Sequence, residues 1–206
     1  MKYLYLFLIV PILIFSSGNF KKPLIFIDPG HGGLNLGAVI KKPRMEEKRY
    51  CLITAHYVKR YLEQLGYRVS LTRSRDFFVP LKRRVFLANR AKAGIFLSIH
   101  YNSSKNRKAR GVEIFYNKAK NRRGYVSKLL AKSVINKMVF RTKIKSRGVK
   151  TGNYLVLRET KMPSILIEAG FLTNLEDRKN IRRRDYLQKI ARGIAEGVDR
   201  FVKRKK

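Results

Sequence analysis

The sequence predicts a single α/β domain with a mainly parallel, mixed sheet of about six strands and helices on both faces. Apolar runs of four or five residues bounded by Gly or Pro, such as 24–27 and 95–100, are typical of strands buried on both faces. These runs alternate with amphipathic stretches of a dozen or more residues, which favours parallel pairing through crossover helices. A length of 206 residues, 45% of them hydrophobic, fits one domain with a sizeable core.

The first half of the chain contains three predicted strands and two predicted helices. Apolar side chains recur every three or four positions from Leu52 to Leu65, and Gly66 can end that helix in a left-handed conformation. Pro80 and Gly94 bracket the next helix in the same way. In chain order, the predicted elements are strand 24–27, helix 47–65, strand 67–72, helix 80–93 and strand 95–100.

The second half continues the alternation and ends in a long amphipathic helix. Its apolar positions Ile190, Ile194, Val198 and Phe201 follow helical spacing. The predicted elements are strand 112–116, helix 125–140, strands 154–157 and 164–167, and helix 177–203.

The N-terminus has the layout of a secretory signal. Lys2 precedes an apolar run of 13 residues, 3–15, and the small residues 16–18 follow it. We therefore expect a signal peptide over 1–18, a mature domain over 19–206, and export to the periplasm or the exterior of the cell envelope. The run is shorter than the roughly 20 residues of a comfortable membrane span, and an uncleaved anchor is the alternative.

The charge balance is extreme, because 48 Lys and Arg residues face 13 Asp and Glu residues, a formal charge of +35. Such a surface attracts polyanions, and the attraction weakens as salt rises. Export favours an anionic cell-wall polymer or membrane surface as the partner over nucleic acid, for which no motif is recognisable. A solvated surface with no specific partner is the simpler alternative. The single cysteine, Cys51, excludes an intramolecular disulfide and a Cys-rich zinc site, and no oligomeric state is predicted.

Two histidines and two glutamates lie where a predicted strand ends or a helix begins. They are His31, His100, Glu168, and either Glu47 or its neighbour Glu46. In an open α/β sheet, chemistry gathers beyond the carboxyl ends of the strands. A His-Glu-His set can hold zinc with one position open for water, and a further carboxylate can act on that water. Glu168 suits this role because its apolar surroundings should raise its pKa.

The glycine-rich loop at 30–37 does not match the common nucleotide-binding or nucleophile motifs. A dinucleotide-binding G-x-G-x-x-G pattern would need glycine where Asn35 stands, and neither a phosphate-loop lysine motif nor a G-x-S-x-G elbow occurs. The glycines instead allow the backbone to turn tightly beside a ligand. The third histidine, His56, lies nine residues after Glu47 on the opposite helix face, where we expect packing or solvent exposure.

From residue 24 to the final helix, the chain resembles the zinc-dependent N-acetylmuramoyl-L-alanine amidases of bacterial cell-wall turnover. The motifs that carry the resemblance are IDPGHGG at 27–33, EK at 47–48, LTR at 71–73, Arg84 with ANR at 88–90, SIHYN at 98–102, GVE at 111–113, YLVLR at 154–158 and IEAGFLTN at 167–174.

The resemblance implies one zinc ion per chain, bound by His31, Glu47 and His100, with Glu168 as the catalytic carboxylate. The implied substrate is peptidoglycan, cut at the amide between N-acetylmuramic acid and the L-alanine of the stem peptide. Asn102 is expected to contact substrate, and Asp28 to orient a ligand histidine from behind.

Two departures from the family pattern shape the expected regulation. We expect no separate wall-targeting domain of the kind that some relatives carry, and we expect the +35 charge to take over its role. Only 34 residues, 117–150, separate Tyr116 from Thr151, which is enough for one ordinary helix and its connections but not for an added inhibitory helix. We therefore expect an unblocked enzyme. The alternatives are a catalytically inactive wall-binding module and a zinc amidase or peptidase that cuts another wall bond.

Overall fold

The computed structural model describes residues 22–118 and 122–204. The predicted signal peptide, 1–18, lies outside these ranges. The elements are β1 Ile25–Pro29, β2 Val39–Ile40, β3 Met45–Glu46, α1 Glu47–Gln64, β4 Val69–Leu71, α2 Leu81–Arg90, β5 Ile95–Asn102, β6 Val112–Tyr116, α3 Arg122–Thr142, β7 Ser146–Thr151, α4 Leu155–Arg158, β8 Ser164–Phe171, α5 Leu175–Ile181 and α6 Arg184–Lys203. None of the helices in the described ranges is long and apolar enough to cross a membrane.

The central sheet has six strands in the order β4-β1-β5-β8-β6-β7. Strands β4, β1, β5 and β8 pair in parallel, whereas β6 runs antiparallel to β8 and parallel to β7. The prediction of a mainly parallel, mixed six-stranded sheet is confirmed. The carboxyl ends of β1, β5 and β8 therefore share one edge of the sheet, next to β6.

Alternate side chains of the strands enter two separate cores, because successive residues of a strand point to opposite faces. One core packs Ile27, Leu97 and Ile167 against α1, α3 and α6, and it also encloses Cys51. The other core packs strand residues such as Phe96 against α2 and α4. Helices thus cover both faces of the sheet, as predicted.

The predicted strand at 154–157 is wrong, since this segment forms the short helix α4. The amides of Leu157 and Arg158 both bond the carbonyl of Tyr154, at 3.0 and 2.9 Å. A short apolar run fits a buried strand and a buried helical turn equally well. The sixth strand is instead β7, an edge strand of partly exposed residues that lacks the alternation of apolar and polar side chains by which strands are recognised.

Two smaller differences concern the loops around the sheet. The helix predicted over 177–203 is two helices, because α5 ends at Ile181 and α6 begins at Arg184. The side chain of Asn174 caps α5 by accepting hydrogen bonds from the amides of Glu176 and Asp177. The two-residue strands β2 and β3, which pair antiparallel just before α1, were not predicted.

Candidate metal centre and active site

Three side chains meet at the carboxyl edge of the sheet. The Oε1 atom of Glu47 lies 2.9 Å from Nε2 of His31 and 2.9 Å from Nδ1 of His100. The two ring nitrogens are 3.1 Å apart. All the donor atoms of this set lie within 4.8 Å of one another. The three residues that the sequence places far apart therefore form one cluster.

The loop after β1 aims His31 at this cluster. His31 has a left-handed backbone with φ of 60°, a conformation that is uncommon for a residue with a side chain. Two buried arginines hold it there: Arg84 donates to the carbonyl of His31 at 2.7 Å, and Arg73 donates to that of Gly30 at 2.8 Å. The Nδ1 atom of His31 pairs with Oδ1 of Asn35 at 2.8 Å. Because an amide oxygen only accepts, Nδ1 carries a proton, and Nε2 is the ring nitrogen that faces the cluster and would supply its lone pair to a metal ion.

Glu47 is the first residue of α1, and backbone amides fix both of its oxygens. Oε2 accepts from the amide of Ala38 at 2.9 Å, and Oε1 accepts from that of Tyr101 at 3.1 Å. Burial raises the pKa of Glu47, but its hydrogen bonds to His100 and His31 outweigh burial and leave that pKa well below its usual range. Burial lowers the pKa of His31, but the hydrogen bond and negative charge of Glu47 raise it by more. The pKa of His31 therefore lies above its ordinary value.

The neighbouring Glu46 lies outside the cluster. Its carboxylate accepts from the guanidinium of Arg44, with Nη2 at 2.7 Å. This ion pair holds the pKa of Glu46 below its usual value. The structure thus places Glu47, and not Glu46, beside the two histidines.

Two glycines leave room for the cluster. A Cβ on Gly30 would lie 2.2 Å from Cε1 of His100, and one on Gly37 would lie 2.6 Å from Oε2 of Glu47. Gly37 also has a positive φ of 68°, which glycine adopts without strain. The glycine-rich loop therefore serves close packing around the cluster, in agreement with the sequence-based expectation.

Glu168 lies next to the cluster, on the neighbouring strand. It is the Cα partner of His100 in the parallel pairing of β5 with β8. Its Oε2 atom is shielded from solvent and has no hydrogen-bond partner among the described residues. Burial, followed by the negative charges of Glu47 and Glu113, raises the pKa of Glu168 well above its usual value. An unpaired buried carboxyl of this kind is costly for folding, which is typical of a functional group.

The donor set fits a zinc ion. Two imidazoles and one carboxylate with an open fourth position are the usual protein ligands of catalytic zinc. Donors about 2.0–2.1 Å from a tetrahedral ion lie about 3.4 Å apart, close to the separations of 2.9–3.1 Å observed here. The hydrogen bond of His31 to Asn35 supplies the outer support that metal-binding histidines need.

Comparison with known proteins identifies the family of the chain. A family model described as N-acetylmuramoyl-L-alanine amidase matches residues 25–200. The chain belongs to this family.

Relatives and solved structures extend the likeness to most of the chain. The N-acetylmuramoyl-L-alanine amidase LytC of Bacillus subtilis is 36% identical, in a match covering 88% of this chain and 37% of LytC. AmiC of Neisseria meningitidis is 29% identical over 89% of this chain and 54% of its own length. The amidase of Clostridium difficile 630 superposes with a TM-score of 0.86 at 37% identity, covering 90% of this chain and all of that one. The chain thus spans about a third to a half of these two curated relatives.

The site of this amidase-family chain opens into a cleft of about 570 Å³. The three cluster residues and Glu168 line it together with Asn35 and Asn102. One wall is apolar, with Phe78 and Leu81 each about half exposed, and Tyr154 and Leu155 border the other side. The cleft therefore exposes both the polar cluster and a broad apolar surface to a ligand.

Two residues with predicted supporting roles have different contacts from those expected. Asp28 does not reach either imidazole; it accepts hydrogen bonds from Thr72, Ser98 and Arg84 at 2.6, 2.9 and 2.7 Å. Its connection to His31 therefore runs through Arg84. The amide of Asn102 lines the cleft but donates to Glu113 at 2.7 Å. His56 is exposed and pairs with the carbonyl of Ser74, consistent with the packing or solvent position expected for it.

Several residues of the site were not predicted from the sequence. In the sequence, Asn35 is noticed only because it breaks a nucleotide-binding motif. Its position four residues after His31, in a tight loop, was nevertheless compatible with a contact between the two side chains. Glu113 lies in the GVE motif but was given no role, and Arg147 and Lys150 were not identified because β7 has no strand-like pattern. Their ion pairs become visible only once β6 and β7 are paired.

Proposed function

We propose that the chain is a zinc-dependent N-acetylmuramoyl-L-alanine amidase. It hydrolyses the amide that joins N-acetylmuramic acid to the L-alanine of the peptidoglycan stem peptide. The observation that carries this proposal is the convergence of His31, Glu47 and His100, whose donor atoms lie within 4.8 Å, beside the buried carboxyl of Glu168. Family membership supplies the substrate class.

The residues divide by role. His31, Glu47 and His100 would hold the zinc ion, which when bound polarises a carbonyl and acidifies a water molecule. Glu168 accepts a proton from the attacking water and delivers it to the departing amine of L-alanine. A carboxyl whose pKa is raised by burial suits this double role, because it exchanges its proton readily within one turnover.

The active site is proposed to be open without an activator. Helix α3, which follows β6, packs against α6 on the face of the sheet opposite the cleft. It contributes none of the residues that line the cleft in the described chain. Purified protein is therefore expected to digest sacculi by itself, and activity that appears only after a partner is added would contradict this part of the proposal.

Export and surface attachment complete the proposal. The N-terminal sequence directs the chain to the envelope, and the +35 charge holds it on anionic wall polymer or membrane. Binding to isolated cell walls is expected to weaken steeply between low and high salt, because such attraction is screened. Binding that does not respond to salt would refute attachment by charge.

Product analysis of digested sacculi tests the reaction itself. Mass spectrometry should detect intact stem peptides and peptide-free glycan with the wild type, and neither with Glu168→Gln. Glu63→Gln is the matched control, since Glu63 is exposed on α1 and the same substitution there should leave activity unchanged. Products cut within the peptide would support a peptidase instead. Binding without any cleavage by the zinc-loaded wild type would support an inactive wall-binding module.

A further inference from the structure

A second polar cluster lies across Glu168 from the proposed zinc ligands. Glu113 on β6 is the Cα partner of Glu168 in the antiparallel pairing of β6 with β8. Its Oε1 accepts from the amide of Asn102 at 2.7 Å. Its Oε2 accepts from Nε of Arg147 at 2.8 Å and from Nζ of Lys150 at 2.6 Å, both on β7. The cluster is therefore built by the two strands that extend the sheet beyond Glu168.

The two cations carry more charge and more donors than Glu113 uses. The carboxylate side chain is 6% exposed, but those of Arg147 and Lys150 are 31% and 39% exposed. Arg147 binds Glu113 through Nε, and its two terminal nitrogens have no hydrogen-bond partner in the described part of the chain. One positive charge is left over at the surface. A cation pair with one unneutralised charge and free N–H groups is suited to bind an anion.

Aromatic rings hold both cations in place. The guanidinium carbon of Arg147 lies 5.0 Å from the ring centre of Phe171, and Nζ of Lys150 lies 5.9 Å from that of Phe115. Phe115 in turn packs edge-to-face on Tyr154, which lines the catalytic cleft, with ring centres 5.3 Å apart. The cation pair is thus preorganised and continuous with the wall of the cleft.

The chemistry of the proposed reaction indicates which part of the substrate lies there. The group that protonates the departing amine must be on the side of the leaving group, and the leaving group is the stem peptide. Glu168 lies between the ligand cluster and β6, so the stem peptide of a bound substrate would extend over β6 and towards β7. An extended peptide advances about 3.3 Å per residue, and neighbouring strands are about 4.8 Å apart. By these spacings, a carboxylate on the second peptide residue would reach the cation pair above β6.

We propose that Arg147 and Lys150 form a carboxylate-binding subsite that favours stem peptides whose residue after L-alanine keeps a free α-carboxylate. The proposal rests on the amidase function above. The glycan side of the scissile bond offers no such group, because the lactyl carboxyl of muramic acid is itself the amide. The apolar wall at Phe78 and Leu81, near His31, suits the carbon faces of the sugar.

Matched substrates test the subsite. Glycan fragments carrying L-Ala–γ-D-Glu–L-Lys stems are compared with fragments whose D-Glu α-carboxylate is an amide. The wild type should have the lower KM for the free carboxylate. Lys150→Met should raise that KM about tenfold and change kcat by no more than about twofold. For the substrate whose D-Glu carries an amide, this variant should change KM little. Lys203→Met, which removes an exposed cation of α6 paired with Asp199, is the control. Arg147→Lys, which keeps the charge, should retain most of the discrimination.

A binding measurement separates this proposal from the amidase function. Calorimetry with the free tripeptide and its α-amide needs no catalysis, and the wild type should bind the carboxylate form more tightly. If hydrolysis fails but this preference is present, the amidase proposal is wrong and the subsite stands. If hydrolysis proceeds and both substrates respond equally to Lys150→Met, the cations only neutralise Glu113 and the subsite proposal is refuted. Thermal melting of Lys150→Met verifies that this variant folds.

Discussion

Arg84→Met should both destabilise the fold and loosen the metal site. Arg84 is 2% exposed and donates to four oxygens: Oδ1 of Asp28 at 2.7 Å, and the carbonyls of Val79, Pro29 and His31 at 2.7–2.8 Å. Methionine keeps part of the volume but none of the donors. Removing one partner of a buried ion pair costs about 3–5 kcal/mol, because the remaining charge is uncompensated. We expect a loss of this size in the free energy of unfolding.

The same substitution separates stability from metal binding. Asp28 keeps its hydrogen bonds to Thr72 and Ser98, and a domain with about 5–15 kcal/mol of stability can still fold after the loss. The carbonyl of His31 is released, so zinc affinity should fall about tenfold or more. Urea unfolding of the metal-free protein and zinc competition with a chelator measure the two effects. Arg83→Met is the control, since Arg83 is exposed on the same helix. Losses no larger than those of this control would refute the role assigned to Arg84.

Three further perturbations have defined outcomes. Gly37→Ala should abolish zinc binding, because its Cβ would lie 2.6 Å from Oε2 of Glu47. Gly148 also has a positive φ but open space around it, so Gly148→Ala should only lower stability by about 1 kcal/mol. Calorimetric zinc titration and thermal melting distinguish the two variants. Chelation should abolish amide hydrolysis and added zinc should restore it, whereas activity that survives chelation would exclude the metal mechanism. Glu168→Gln should stabilise the metal-free protein by about 1–2 kcal/mol at neutral pH. Folding raises the pKa of Glu168, so the cost of burying this carboxyl grows as pH rises above the ordinary pKa of glutamate. The gain should therefore fade as pH falls to that ordinary value, and urea unfolding at neutral and acidic pH would detect this.

The residues of the ligand cluster were predictable because each one is marked by a local pattern. His31, His100 and Glu168 follow or end short apolar runs, and parallel strands bring such ends to one edge. The choice between Glu47 and Glu46 depended on where α1 begins, which sequence patterns locate only to within a few residues. In the structure, backbone amides fix Glu47 beside the two histidines, whereas Glu46 pairs with Arg44.

The parts that were not predictable depend on contacts between distant segments. Strand β7 is an exposed edge with few apolar residues, so nothing local distinguishes it from a loop. Helix α4 is too short to show helical periodicity. Its apolar residues are buried because they pack in the core beside α2, a contact between segments distant in sequence. The Asp28–Arg84 pair joins residues 56 positions apart. Its role behind His31 becomes visible only after the chain has folded.

The central claim is that His31, Glu47 and His100 bind the metal while Glu168 moves the proton. Two measurements together test this division directly. They are the zinc content per chain, determined by mass spectrometry, and the release of stem peptide from sacculi. Glu168→Gln should keep about one zinc ion per chain and release no peptide. Glu47→Gln should lose both the zinc and the activity, whereas Glu46→Gln should keep both. Full activity in Glu168→Gln, or undiminished zinc in Glu47→Gln, would contradict this division of roles.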